Sequence, residues 1–333
     1  MRYLIDNIGR TIDYIRISVT DRCNLRCKYC MPDGFLSVGH SEILTYEEIM
    51  RLSSIMLKLG IRNIKITGGE PLVRKGICNL IKNLKSLPGM RTVTMTTNGV
   101  LLEEYLDDLV NAGLDGVNIS LDTLDREKFE QITGTDALDK VLISIEKAIK
   151  TKIKVKINCV PIPGFNEEDI VELAGWTLTK QLDVRFIEMM PIGAGRSFQA
   201  VKGEDVLKQI ERVYGPFNKV HERRGNGPAR YYNNSQMKGC IGIINAVNHS
   251  FCEDCNRIRL TSEGFLKQCL YYNKGIDLKS LLRNGKTNQE ILKAIELAVK
   301  EKPEGNSVVT FAKNNNKQEA DSIEKKNMSQ IGG

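Results

Sequence analysis

The chain has 333 residues, carries 48 Lys and Arg against 41 Asp and Glu for a formal net charge of +7, and is 41% hydrophobic. That length accommodates one large α/β unit or a barrel with an appendage. No apolar run approaches the roughly 20 residues of a membrane-spanning helix, and the positive charge, spread evenly, suits an anionic small ligand without demanding nucleic acid. The cysteines are spaced like ligands and no signal peptide is visible, so a disulfide framework is not expected and a cytoplasmic location is.

Strand-like runs come at Tyr14–Thr20, Asn63–Thr67, Arg91–Thr96, Gly116–Ser120, Lys154–Val160 and Asp183–Met189. Between them lie amphipathic stretches: Thr45–Lys58, Gly76–Ser86, Leu102–Ala112, Ala137–Lys150 and Glu167–Thr179. The alternation predicts parallel strands joined by right-handed crossovers. Six units are two short of a closed eight-stranded barrel, so an open barrel and an open doubly wound sheet both satisfy the count. After Met190-Pro191-Ile192-Gly193 the rhythm changes. A helix at Glu204–Tyr214 is followed by strands near Ala229–Tyr232 and Gly239–Val247, a hairpin turning at Thr261-Ser262-Glu263-Gly264, and helices near Leu278–Arg283 and Gln289–Lys300. The expected division is 1–195, 196–312, and a tail at 313–333. The tail lacks aromatic residues and is rich in Asn, Lys and Glu, so its composition predicts flexibility.

Chemistry collects first in the cysteines. Cys23, Cys27 and Cys30 follow the first strand, and Cys252 and Cys255 are joined by Cys269 after thirteen intervening residues. Each set is one ligand short of a closed zinc site or a four-cysteine cluster, which leaves a metal position open for chemistry. Cys78, Cys159 and Cys240 read as small buried hydrophobes.

Other candidates fall at strand ends, where parallel α/β folds bind ligands. Thr67-Gly68-Gly69-Glu70-Pro71 ends the second strand, and its glycines permit close backbone approach. Thr96 ends the third strand, Ser120 with Asp122 the fourth, and Met190 follows the sixth. Arg16, Lys65 and Arg185 lie inside strands whose two faces are both expected to be covered. An unpaired buried charge costs several kcal/mol, so these need an anionic ligand or, alternatively, neighbouring carboxylates. Lys156 alternates with Lys152 and Lys154 and fits a solvated strand face equally well. Arg257 and Arg259, two apart in an extended segment, share a face and present forks suited to phosphate.

The run Asp21-Arg22-Cys23-Asn24-Leu25-Arg26-Cys27-Lys28-Tyr29-Cys30 resembles the signature of the radical S-adenosylmethionine enzymes. With Phe251-Cys252-Glu253-Asp254-Cys255-Asn256-Arg257-Ile258-Arg259-Leu260-Thr261, Gly264, Cys269 and the terminal Gly332-Gly333, the chain resembles the molybdenum cofactor biosynthesis protein A family, the GTP 3′,8-cyclases. The resemblance implies an open (β/α)6 TIM-type barrel whose opening is covered by a smaller α+β C-terminal domain. It implies two 4Fe-4S clusters, on Cys23/Cys27/Cys30 and on Cys252/Cys255/Cys269. S-adenosylmethionine is expected at the first, contacted by Tyr29, Gly69, Glu70, Ser120 and Met190. GTP is expected against Arg16, Lys65, Thr96, Lys156, Arg185, Arg257, Ile258 and Arg259, with the purine held at the second cluster. Arg257, Arg259, Gly332 and Gly333 are the implied catalytic residues. The implied reaction removes the 3′ hydrogen of GTP with a 5′-deoxyadenosyl radical. The ribose radical then attacks C8 to give (8S)-3′,8-cyclo-7,8-dihydroguanosine 5′-triphosphate. The implied partners are an external low-potential electron donor, a cyclic pyranopterin monophosphate synthase that takes the product, and a second copy of the chain in a homodimer.

Overall fold

Six parallel strands taken in chain order form the middle of one sheet in the computed structural model, which describes residues 3–31, 37–247, 251–305 and 323–333. They are β1 (Tyr14–Ser18), β2 (Asn63–Thr67), β3 (Thr92–Thr97), β4 (Gly116–Ser120), β5 (Lys154–Cys159) and β6 (Asp183–Ile187). The expected strands are all present, and the first, fifth and sixth end one or two residues early. The crossovers carry α1 (Tyr46–Lys58), α2 (Ile77–Ser86), α3 (Leu102–Asn111), α4 (Arg126–Thr133), α5 (Leu138–Ala148) and α6 (Asp169–Thr179).

Side chains alternate along each strand, and the two faces differ in chemistry. One face is apolar: Ile15, Ile17, Ile64, Ile66, Val93, Met95, Val117, Ile119, Val155, Ile157, Val184 and Phe186 belong to a single buried core. The helices pack there through stripes such as Ile49, Leu52, Ile55 and Met56 of α1. Full burial of such a side chain stabilises by about 1.5–3 kcal/mol, so this face holds the fold together. The other face carries Arg16, Lys65, Thr94, Asn118, Lys156, Asn158 and Arg185. Register aligns Arg16 with Lys65, Asn118 with Lys156, and Asn158 with Arg185.

Helix ends follow local chemistry. Thr45 caps α1 in a capping box with Glu48. Helix α4, absent from the sequence expectations, is only eight residues long; Asp125 caps it and Gly134, at φ +72°, ends it.

The later strands extend this same sheet. After α7 (Gly203–Tyr214) come β7 (Asn218–Val220), β8 (Arg230–Asn233) and β9 (Ile241–Ile244). Strand β9 pairs parallel with β6, and β8 and β7 continue antiparallel beyond it. Strand β10 (Arg257–Leu260) pairs parallel with β1, and β11 (Phe265–Lys267) and β12 (Gly275–Asp277) continue antiparallel from it. The predicted hairpin turn is where Gly264 takes φ +82°. The sheet runs β12-β11-β10-β1-β2-β3-β4-β5-β6-β9-β8-β7 and stays open. Helices α8 (Leu278–Arg283) and α9 (Asn288–Lys300) follow β12.

The expectation of a flexible 313–333 tail fails for its last part. Residues 323–333 dock on the body, with a short helix at Met328–Ile331 and Ile331 buried against Ile192, Tyr271 and Tyr272. Average composition concealed one apolar anchor and a series of specific hydrogen bonds. Residues 313–322 lie outside the described residues.

Candidate active site

A cavity of about 1250 Å³ opens on the polar face of the sheet. Arg16, Lys65, Asn118, Lys156, Asn158 and Arg185 line it from the central strands. Cys252, Cys255, Cys269, Arg257, Arg259 and Lys302 line it from the C-terminal elements, and Met190 from the segment after β6. Thus the second triad and most of the expected substrate residues share one cavity.

Its cations outnumber its anions. Among the described residues, the ion pairs made by carboxylates of the cavity wall are Lys156–Asp183 at 3.0 Å, Arg224–Asp183 at 2.8 Å and Lys85–Asp115 at 2.8 Å, and none of these pairs involves Arg16, Lys65, Arg185 or Arg259. Burial, with Arg185, Arg16 and Lys156 nearby, pulls the Lys65 ammonium well below its ordinary value. Burial lowers Arg16 and Arg259 as well, reinforced by neighbouring arginines. Among the described residues, the buried Nε atoms of Arg16 and Arg185 have no partner. Arg185 does donate to Asn158 Oδ1. Its side chain crosses beside Gly242, where a Cβ would lie 2.7 Å from Arg185 Cγ. An arrangement of buried cations with unspent donors fits a multiply charged anion.

Lys156 does not lie on a solvated strand face: its side chain is largely buried at the cavity and pairs with Asp183. Besides Asp183 it meets the Tyr231 hydroxyl at 2.7 Å and donates to the Arg224 carbonyl. Ile258 alternates with the two arginines, so its side chain sits in the apolar core even though the residue borders the cavity. Thr96 is half-buried, and its buried Oγ1 has no partner among the described residues. Arg257 lies 4.5 Å from the centre of the Phe251 ring, a cation–π contact.

The first triad lies beyond β1 on the Cys23–Cys30 loop. Burial pushes its thiols up, Cys27 well above the ordinary value and Cys30 to about 12, and the nearby Asp122 carboxylate adds to both. Cys23 is raised too, by burial and then, beyond its hydrogen bonds, by Glu70. Tyr29 donates to Asp122 Oδ2 at 2.6 Å and meets the Phe198 ring edge-on at 6.4 Å. Burial raises Asp122 to about 6 against the hydrogen bonds from Tyr29 and the Val160 N–H.

The Gly68-Gly69 pair packs on this loop. A Cβ at Gly69 would lie 2.3 Å from the Arg22 carbonyl oxygen, and one at Gly68 2.7 Å from that of Thr20. Only glycine lets the end of β2 approach so closely. Glu70 is fully enclosed and raised to about 7 by burial, opposed by donors from Asn98, Leu72 and Thr97. Its Oε1 accepts from the Leu72 N–H and Thr97 Oγ1, while Oε2 accepts from the Asn98 N–H, leaving a lone pair free. Ser120 stands half-buried at the end of β4, opposite Asn158.

The second triad is electrostatically different. Burial pushes Cys255 up, but Lys302 and Arg257, with hydrogen bonds from Arg257, overcome it and bring the thiol down to about 7. Among the described residues, no three His, Cys, Asp or Glu side chains converge on a single metal ion. A cubane cluster asks for something else, because each thiolate takes its own iron. The three neighbouring thiols of the first loop, and the three that share the cavity, supply donors of the right type for that.

Gly332 and Gly333 lie against the cavity's arginines. Arg259 Nη1 donates to the Gly332 oxygen and Arg16 Nη2 to that of Gly333. Gly332 sits at φ +81°, where a Cβ would lie 2.8 Å from Thr67 Oγ1. The sequence left Asn118, Asn158, Asp183 and Tyr231 unmarked. Strand alternation from Arg16 and Lys65 was the signal available for the two asparagines.

An open α/β sheet with a three-cysteine loop after its first strand defines a class. The Radical SAM superfamily profile matches residues 17–177, and the Molybdenum Cofactor Synthesis C profile matches residues 182–308. The structure of Streptococcus suis SuiB bound to S-adenosylmethionine superposes with a TM-score of 0.63 at 16% identity, covering 91% of this chain and 75% of that one, which is a likeness of fold. A GTP 3′,8-cyclase of Clostridium perfringens is 44% identical over 98% of this chain and 99% of that protein. Another, from Thermodesulfovibrio yellowstonii, is 42% identical over 91% of this chain and 95% of its own. The chain belongs to the GTP 3′,8-cyclase family.

Proposed function

We propose that the protein is a GTP 3′,8-cyclase acting at the first step of molybdenum cofactor biosynthesis, with S-adenosylmethionine and two 4Fe-4S clusters as cofactors. The observation that carries this is the set of buried cations in a cavity bounded by Cys252, Cys255 and Cys269. A nucleoside triphosphate supplies the negative charge those side chains lack. Arg16, Lys65, Arg185, Arg257 and Arg259 hold the triphosphate, and Lys156 joins them by exchanging Asp183 for phosphate. Thr96 offers its unpartnered hydroxyl to the ligand. Ile258 contributes its backbone alone.

Cys23, Cys27 and Cys30 hold the first cluster, and Cys252, Cys255 and Cys269 hold the second, beside which the purine is placed. The free lone pair on Glu70 suits the ammonium of S-adenosylmethionine, while Tyr29, Ser120, Met190 and the Gly69 backbone flank its adenosyl part. When bound, the reduced first cluster and S-adenosylmethionine supply the radical that removes a hydrogen atom from the ribose. The chain's own contribution is to fix the ribose against that radical, neutralise the phosphates and keep water out. Gly332 and Gly333 help by setting the Arg16 and Arg259 guanidinium groups.

The finer architecture proposed is an incomplete (β/α)6 barrel over 1–195, its opening covered by a 196–312 domain. The change of matching profile between residues 177 and 182 supports a division in that region. A low-potential electron donor reduces the clusters, and a cyclic pyranopterin monophosphate synthase consumes the product. The test is anaerobic reconstitution followed by incubation with S-adenosylmethionine, with and without GTP, and mass spectrometry of the nucleotides. A GTP-dependent cyclised product supports the proposal. Cofactor cleavage without any such product, in protein with both clusters filled, contradicts it.

A further inference from the structure

The docked tail is held at a place no catalytic assignment touches. Glu324 is buried, and its carboxylate meets the ammonium of Lys267, which is also buried, in an ion pair. Lys267 donates as well to the Tyr272 carbonyl at 2.6 Å. The other Glu324 oxygen accepts from the Lys326 N–H at 2.7 Å. The Glu324 backbone is fixed on both sides: its N–H donates to the Tyr271 carbonyl at 2.8 Å, and its carbonyl accepts from Arg196 at 2.6 Å. Three residues on, Asn327 Oδ1 accepts from the Ala194 N–H at 3.0 Å, and Asn327 caps the Met328–Ile331 helix. That helix delivers Gly332 to Arg259 and Gly333 to Arg16.

The clamp also reaches the cysteines. Lys267 ends β11, two residues before Cys269 of the second triad. The Ser329 backbone lies near Cys30 of the first and opposes the effect of burial on its thiol. The stretch from Glu324 to Gly333 therefore spans both triads and the arginines between them, and its attachment at the start is a buried charge pair. Such a pair contributes little net stability, yet breaking it from one side leaves the remaining charge buried and unpaired.

We infer that Glu324 is a positioning residue: its clamp to Lys267 fixes the register of the tail and so sets where Gly332 and Gly333 meet Arg259 and Arg16. The inference rests on the cyclase assignment for its catalytic consequence, but its structural half stands apart from it. Glu324→Gln keeps the shape and removes the charge. In the protein without clusters, amide exchange of the 327–333 segment should then accelerate at least about tenfold, while peptides from β1 to β6 stay as protected as in the parent. In reconstituted enzyme, product formed per 5′-deoxyadenosine should fall about tenfold or more, with 5′-deoxyadenosine still made. Glu324→Asp, which keeps the charge on a shorter arm, should recover part of both losses.

Unchanged exchange of 327–333 in Glu324→Gln overturns the inference. So does faster exchange with an unchanged product ratio, because the clamp would then hold the tail without positioning anything that matters. General loss of protection across β1 to β6 also overturns it, by making the pair a support of the whole fold. A parent enzyme that makes no cyclised nucleotide speaks against the cyclase assignment instead, and the exchange comparison still judges the clamp.

Discussion

The two cysteine triads hold the same ligand type in opposite surroundings. Around the first, burial and the carboxylates Asp122 and Glu70 disfavour negative charge, and Cys30 is pushed to about 12. Around the second, Lys302 and Arg257 favour it, and Cys255 comes down to about 7. A site crowded with potential anions accepts a cationic visitor, and S-adenosylmethionine carries a sulfonium and an ammonium. A site crowded with buried cations accepts an anionic one, and a triphosphate carries several charges. On the proposed assignment, the surrounding charges suit the cofactor to the first triad and the substrate to the second, a match that cysteine spacing alone does not reveal.

Thiol chemistry sharpens the contrast most. In protein without clusters at pH 7.5, Cys255 should alkylate about a hundredfold faster than Cys30, since only thiolate reacts and its larger thiolate fraction outweighs its lower intrinsic nucleophilicity. Peptide-resolved iodoacetamide labelling across pH should put the Cys255 midpoint near 7. Similar rates at the two residues would remove the electrostatic distinction.

The cationic cavity comes next. Lys65→Met deletes a buried charge without a carboxylate partner among the described residues, so it should stabilise the protein without clusters by about 1–4 kcal/mol. The same change should weaken GTP binding about a hundredfold. Denaturant unfolding and calorimetry read the two effects. Loss of stability together with undiminished affinity would mean that Lys65 already has its counter-charge within the protein.

A smaller effect is expected at Gly242. An alanine there brings a Cβ to 2.7 Å from Arg185 Cγ and 3.0 Å from the Tyr231 ring. Overpacking of this kind costs about 1–3 kcal/mol. Urea unfolding should register that loss, and an unchanged midpoint would show that Arg185 moves aside freely.

Much of this was legible in the sequence. The six strands and five of their helices announce themselves by periodicity, and Ile15-Arg16-Ile17 and Ile64-Lys65-Ile66 show that the strands bury cations. Helix α4 was missed because its eight residues carry only a short buried stripe. The pairing of β9 with β6 and of β10 with β1 depends on long-range register, which local alternation does not encode. The partner of Lys156 lies 27 positions along the chain, on the neighbouring strand, so only the fold exposes it. The tail misled because composition averages over residues, whereas Glu324, Asn327 and Ile331 act singly.

The most direct test compares Cys30→Ala with Cys255→Ala, each reconstituted anaerobically, reduced, and given S-adenosylmethionine and GTP. Two triads with separate duties predict that Cys30→Ala makes neither 5′-deoxyadenosine nor cyclised nucleotide, while Cys255→Ala still makes 5′-deoxyadenosine but no cyclised nucleotide. Undiminished cyclisation by Cys255→Ala, or loss of 5′-deoxyadenosine in both variants, would contradict that division.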